Sequence, residues 1–131
     1  MDREKFDAGM AVRRAVLGDK YVDESLARAD DFTRPLQELV TEGCWGTIWA
    51  RPGLPLKTRS LVNVALLAAL NRPHELKVHV RGAINNGCTQ EEIQEVLLQV
   101  ALYAGMPAGM DGFRTASEAL RAIASEQQDQ Q

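Results

Sequence analysis

Arg72, Glu75 and His79 fall within the stretch NRPHELKVH, residues 71–79. Pro73 suits the first turn of a helix, so the three ionisable residues recur at three- and four-residue steps along one helix. With Leu76 set at zero and about 100° per residue, Val80 and Ala83 fall within about 40° and mark the buried side. Arg72, His79 and Glu75 project to about −40°, −60° and −100°, a column along the border of that side. His74, Lys77 and Arg81 point away, toward solvent. A glutamate beside a histidine raises its pKa and fixes its tautomer, which suits a general acid working near neutral pH. The same spacing also fits a plain intrahelical Glu75–His79 pair worth a few tenths of a kcal/mol.

A second cluster lies in GCWGTIW, residues 43–49. Taken as an α-helix with Leu36 at zero, Leu39, Val40 and Gly43 gather on the core side. Glu38, Glu42, Trp45 and Trp49 gather opposite, between about 180° and 240°. Two tryptophans on an outer face point to a subunit interface, to the wall of a pocket, or to both.

The elements that must position these groups all read as helices, with no hairpin signal and no period-two alternation. Segments near 8–17 and 21–29 come first, then one from about Arg34 to Trp49 with Pro35 in its first turn. RPGLP, residues 51–55, is a break. Residues 57–70 carry LVNVALLAAL, apolar nearly all round, which predicts a buried central helix. Residues 73–86 follow, closed by Gly87. Thr89 and Glu92 have capping-box spacing for a sixth helix, Gly105 ends it, and Pro107 restarts a seventh through Ile123. The polar tail 125–131 is expected to fray. The fold class is therefore all-α, a bundle of six to seven helices in a single domain spanning 1–131.

Bulk properties exclude several functions. The 131 residues carry a net charge of −3 with no basic block, which argues against nucleic acid. No apolar run reaches the roughly 20 residues that span a bilayer, and the charged start MDREKFDAGM lacks a signal-peptide core. The expectation is a cytoplasmic protein with no membrane partner. Cys44 and Cys88, the two cysteines, read as free thiols with core-like packing. No grouping has the spacing of a metal site.

Taken together, RRAVLGDKYVD (13–23), WGTIWARPGL (45–54), TRSL (58–61), NRPHELKVHVRGAINNG (71–87) and TQEEIQEVLLQ (89–99) resemble the carboxymuconolactone decarboxylase family. The resemblance implies the all-helical fold shared with AhpD-type alkylhydroperoxidases, a homo-oligomer, commonly a hexamer, and no cofactor. It also implies loss of CO2 from a lactone dicarboxylate, giving 3-oxoadipate enol-lactone in protocatechuate catabolism. The thiol-peroxidase relatives carry C-x-x-C, then three residues, then a histidine. Laid on His79, that motif puts Arg72 and Glu75 where the thiols would stand, and a glutamate common after the arginine of TRxL is Ser60 here. A thiol peroxidase or disulfide reductase, or a family member acting on another lactone, are the rival readings.

The implied substrate is its own electron sink, so the protein has four tasks. Arg72 and Arg59 are candidates to anchor the spare carboxylate, since guanidinium binds carboxylate bidentately. Arg59 fits equally a role at the start of helix four, and Arg51 is another anchor candidate with an alternative role in its loop. Donors must stabilise charge on the lactone oxygen. His79, oriented and charged by Glu75, is the first choice to protonate carbon. Trp45, Trp49 or Glu42 would face the leaving carboxylate.

Overall fold

Caps and glycines in the sequence set several of the helix boundaries. The structure, a computed structural model, describes residues 1–130. Among them are seven helices and no strand, so the all-α expectation holds. The chain forms two compact units, Met1–Leu56 and the portion from Lys57 onward.

In the first unit, α1 spans Arg3–Leu17. It begins well before residue 8 because Asp2 caps it, its Oδ1 accepting the Lys5 backbone N–H at 3.1 Å. It stops at Gly18, whose φ of 89° ends the right-handed path. Helix α2 (Asp19–Ala27) is tied back to α1 by Arg14, which donates to Asp23 at 2.8 Å and Asp19 at 3.1 Å. Helix α3 (Arg34–Leu39) continues without interruption into a π-helical segment, Val40–Trp49.

That segment overturns the expected tryptophan face. Its i→i+5 hydrogen bonds put more residues into each turn than an α-helix does, so an α-helical wheel assigns the wrong side. Leu36 and Leu39, placed on the core side from sequence, are 58% and 66% exposed, whereas Trp45 and Trp49 are 4% and 5% exposed. Their ring centroids lie 4.7 Å apart with planes tilted by 31°. Helix α1 packs along the π segment through glycines. A Cβ on Gly9 would collide with the Thr41 carbonyl oxygen and lie 2.6 Å from the Gly46 nitrogen. Beneath this contact Arg13 is buried, one Nη donating to Thr41 Oγ1 at 3.2 Å, and the Thr41 hydroxyl donates to the Gln37 carbonyl at 2.8 Å.

In the second unit, α4 (Leu56–Ala69), α5 (Pro73–Asn85), α6 (Gln90–Tyr103) and α7 (Met106–Asp129) enclose one apolar core. Its largest fully buried members include Leu76, Ile93, Leu97, Val64 and Val80. The capping box at Thr89 forms as the spacing predicts, with Thr89 Oγ1 accepting from Glu92 N at 3.0 Å and Glu92 Oε1 accepting from Thr89 N at 2.9 Å. Gly87 and Gly105 have positive φ at the two helix ends where they were expected. Helix α7 packs on α5 and is pinned by Lys77–Glu118 at 2.8 Å and by two-pronged Arg81–Glu126 contacts at 2.7 and 2.8 Å. It remains helical through Asp129, and the last residue of the tail expected to fray lies outside the described residues.

Helix α4 departs from the expected buried central helix. Ser60, Val64 and Ala68 are buried, but Val62, Leu66 and Leu70 are exposed. Its apolar side chains encircle the helix, while α5 and the core cover one side only. The uncovered side, with α6, lines an apolar groove of about 460 Å³ that includes Val62, Leu66, Val96 and Tyr103.

Candidate active site

Helices α4 and α5 run antiparallel, and three contacts set their register. The Arg72 backbone N–H donates to the Leu67 carbonyl at 2.9 Å, where the chain turns from one helix into the other. Asn71 makes that turn with φ 57°, a conformation asparagine tolerates better than most residues. Further along, Asn63 Nδ2 lies 3.5 Å from His79 Nδ1. At the far end, Asn86 Nδ2 donates to Ser60 Oγ at 2.8 Å. Ser60 and Asn63 thus fall at i and i+3, one turn apart and on one face of α4, the first met by Asn86 at the C-cap of α5 and the second by His79 within it.

His79 sits in the middle of this ladder at 9% exposure. Burial pushes its pKa down from 6.5 to about 4, because desolvation penalises the charged ring. The free protein therefore holds a neutral imidazole at neutral pH. This reverses the expected effect of Glu75, which would have raised the pKa. Glu75 is exposed and forms no ion pair among the described residues. The physical reason lies in helix geometry: Glu75 lies in the first turn of α5, where the side chain reaches solvent, while His79 is one turn deeper. The Asn63 contact at Nδ1 fits a neutral ring that carries its proton on Nε2.

The two candidate arginines of this unit lie near opposite ends of the paired helices α4 and α5. Arg72 is the N-cap residue of α5, exposed and without an ion pair among the described residues. Arg59 is half-buried, one turn before Asn63 on α4 and next to Ser60. By the register above, Arg72 lies toward the Leu67 end and Arg59 toward the Asn86 end.

The remaining sequence candidates belong to the first unit. Glu42 is half-buried and its Oε1 accepts the Asp2 backbone N–H at 3.0 Å. Trp45 and Trp49 are buried against each other, and Arg51 is exposed just beyond the π segment. Neither cysteine replaces the missing C-x-x-C pair. Cys44 is exposed in the first unit; Cys88 is buried, its Sγ 3.5 Å from the Lys57 carbonyl, and burial and then Glu92 push its thiol pKa up. No group of His, Cys, Asp and Glu among the described residues could hold a metal ion. No helix there is long and apolar enough to cross a membrane.

Asn63, Ser60 and Asn86 are the residues sequence reasoning passed over. A signal existed: Ser60 and Asn63 are polar residues at helical spacing inside TRSLVNVALLAAL, where a purely structural helix would carry apolar ones.

Comparison with known proteins agrees with this architecture. The profile of the carboxymuconolactone decarboxylase family matches residues 34–118. The chain is 42% identical to a 4-carboxymuconolactone decarboxylase of Acinetobacter baylyi over 120 residues, 92% of this chain and 90% of that protein. It is 50% identical to the nitrosuccinic acid decarboxylase npaB of Metarhizium robertsii over 108 residues, 82% of this chain and 76% of that protein. A 4-carboxymuconolactone decarboxylase of Pseudomonas putida is 47% identical over 45 residues, 34% of this chain and 94% of that sequence.

Proposed function

Because the chain belongs to the carboxymuconolactone decarboxylase family, we propose that it is a carboxy-lyase acting on 4-carboxymuconolactone. The product is CO2 and the enol-lactone of 3-oxoadipate, a step of protocatechuate breakdown. The observation that carries the reading is the buried, neutral His79 in a chain 42% identical to a 4-carboxymuconolactone decarboxylase over nearly its whole length.

The chemistry follows from the substrate. The carbon–carboxylate bond at the γ carbon breaks, and its electron pair moves through the ring double bond onto the lactone carbonyl oxygen. The resulting dienolate takes one proton at the α carbon. No added electron sink is needed, and the net demand on the protein is one proton and a grip on the carboxylate that is not lost. Arg72 and Arg59 are the cations for that spare carboxylate. His79 supplies the proton: a dianion brought beside the ring offsets the cost of charging it, raises its pKa and lets it take up a proton from water. Placing that proton at the reacting carbon rather than in solvent is the protein's catalytic contribution.

The second relative favours a second substrate. Nitrosuccinate also carries two carboxylates, one on the carbon bearing an electron-withdrawing group, and CO2 loss leaves a nitronate that must be protonated at carbon. The same His79 and arginine pair would serve. Freshly generated 4-carboxymuconolactone and nitrosuccinate, offered separately to the purified protein, decide between them by CO2 release and ultraviolet absorbance. Turnover of the lactone far above that of nitrosuccinate upholds the first reading, the reverse ratio installs the second, and release from neither refutes both.

We further propose a homo-oligomer, a hexamer by the family resemblance, working in the cytoplasm. The exposed apolar side chains Val62, Leu66, Leu102 and Tyr103 support self-association through a matching apolar face. Two free thiols fit a reducing compartment. Light scattering of the wild type against Leu66→Glu tests the assembly.

A further inference from the structure

Asn63 comes within 3.5 Å of His79 Nδ1 from the facing helix, and its amide has a property no other residue in the ladder combines with that position. One edge donates through Nδ2 and the other accepts through Oδ1. The terminal torsion of asparagine is broad and two-fold, so a half-turn exchanges the two edges without moving the backbone. Nδ1 of an imidazole makes matching demands. In the neutral Nε2–H form it offers a lone pair and needs a donor; in the imidazolium it carries a proton and needs an acceptor. The neighbouring rung does not compete, since the Asn86 amide donates to Ser60 Oγ at 2.8 Å.

Carboxylates on α5 and α7 are exposed or held by cations. On α5 itself Glu75 is exposed one turn before His79. On α7, packed against α5, Glu118 and Glu126 are held by Lys77 and Arg81. On α4 the nearest ionisable residue to Asn63 is the cation Arg59, one turn earlier.

We propose that Asn63 is the positioning residue of the proton transfer: it donates to Nδ1 of the neutral ring, and once the ring takes up a proton it turns over to accept from Nδ1–H, so that the imidazolium holds Nε2–H toward the substrate as the proton to be transferred. This rests on His79 as the proton donor. A carboxylate in the same place would hold the ring charged, and an aliphatic side chain would support neither state.

The chain has two histidines, so in a His74→Gln background the imidazole signals in carbon- and nitrogen-detected NMR belong to His79. With Asn63 present, a single Nε2–H tautomer is expected at neutral pH. Asn63→Leu gives a mixture of tautomers and lowers kcat by about tenfold or more with KM little changed. Asn63→Asp keeps the shape of the side chain and moves the ring's titration midpoint upward by about a unit or more. An unmixed Nε2–H tautomer in Asn63→Leu, or an unmoved midpoint in Asn63→Asp, overturns the proposal. If neither substrate is turned over, the functional reading fails, while the two ring measurements still decide the role of Asn63.

Discussion

Gly9 of α1 and Gly46 of the π segment meet backbone to backbone, with a Cβ on Gly9 placed 2.6 Å from the Gly46 nitrogen and against the Thr41 carbonyl. A Cβ on Gly46 would in turn strike the Lys5 carbonyl. Backbone cannot give way as a flexible side chain can. Gly9→Ala is therefore expected to destabilise the protein by about 3 kcal/mol. Gly43→Ala is the control: the nearest atom to its added Cβ is Leu39 Cδ1 at 3.9 Å, an ordinary contact. That substitution should be neutral or stabilising by up to about 1 kcal/mol. Urea unfolding of the two variants, followed by circular dichroism, checks the contrast.

The same segment marks where the sequence stopped being legible. Caps and glycines act within a few residues, so Thr89 with Glu92, Gly18, Gly87 and Gly105 could be placed correctly from sequence. A periodicity argument must assume the period, and the π-helical Val40–Trp49 does not have the α-helical one. Trp45 and Trp49 consequently changed sides. At the site, His79 was found because its angle put it near Leu76 and Val80, and it is buried. Its electrostatics were misread because the wheel gives angles and not depth: Glu75, at a neighbouring angle, is one turn closer to the exposed helix start. Asn63 was missed because its partner lies on another helix, and pairing across helices leaves no local spacing to read.

Thiol chemistry on this fold predicts that removing both sulfurs abolishes activity. The structure argues otherwise, with Cys88 buried and its thiol pKa raised and Cys44 exposed in the other unit. The Cys44→Ser, Cys88→Ser double variant should decarboxylate at close to the wild-type rate and show no loss of any peroxide consumption. A decarboxylase assay beside a peroxide assay on the same preparation reads both.

Burial of His79 links folding to pH. Its folded pKa is about 4, below the 6.5 of the unfolded chain. Between those values the unfolded state binds more protons, so stability rises with pH across the window and is lost as pH falls from about 6.5 to 4. The loss from this ring alone is about 3 kcal/mol. His79→Gln carries no titrating group there. The difference in unfolding free energy between wild type and variant should therefore shrink by that amount from pH 7 to pH 4, measured by urea denaturation at each pH.

Arg72 has the exposure and freedom of a residue that meets a ligand: N-cap of α5, solvent-facing, with no ion pair among the described residues. Removing it costs the fold little, since the turn is held by its backbone N–H donating to Leu67 O. Arg72→Ala is expected to raise KM by about tenfold or more, the loss of a charge-assisted pair, with unfolding unchanged. Arg72→Lys should recover only part of that, because an ammonium cannot grip a carboxylate at two points. Steady-state kinetics on whichever decarboxylation substrate is turned over make the comparison; an unchanged KM in the alanine variant removes Arg72 from the binding step.

The proton-transfer role proposed for His79 makes its sharpest prediction in the two pH profiles. The profile of kcat/KM reports the free protein and that of kcat reports the complex. In the free protein the charged ring is populated only below about 4, so kcat/KM falls as pH rises past that value. In the complex, the substrate dianion beside the ring favours the charged form, so the corresponding limb in kcat is displaced to higher pH. The separation between the two limbs measures how strongly the substrate charges its own acid. His79→Gln should remove this limb from both profiles and lower kcat by about a hundredfold or more, leaving helical content unchanged. Coincident limbs in the wild type would mean that the bound substrate does not charge the ring, and the proton would then have to come from another donor.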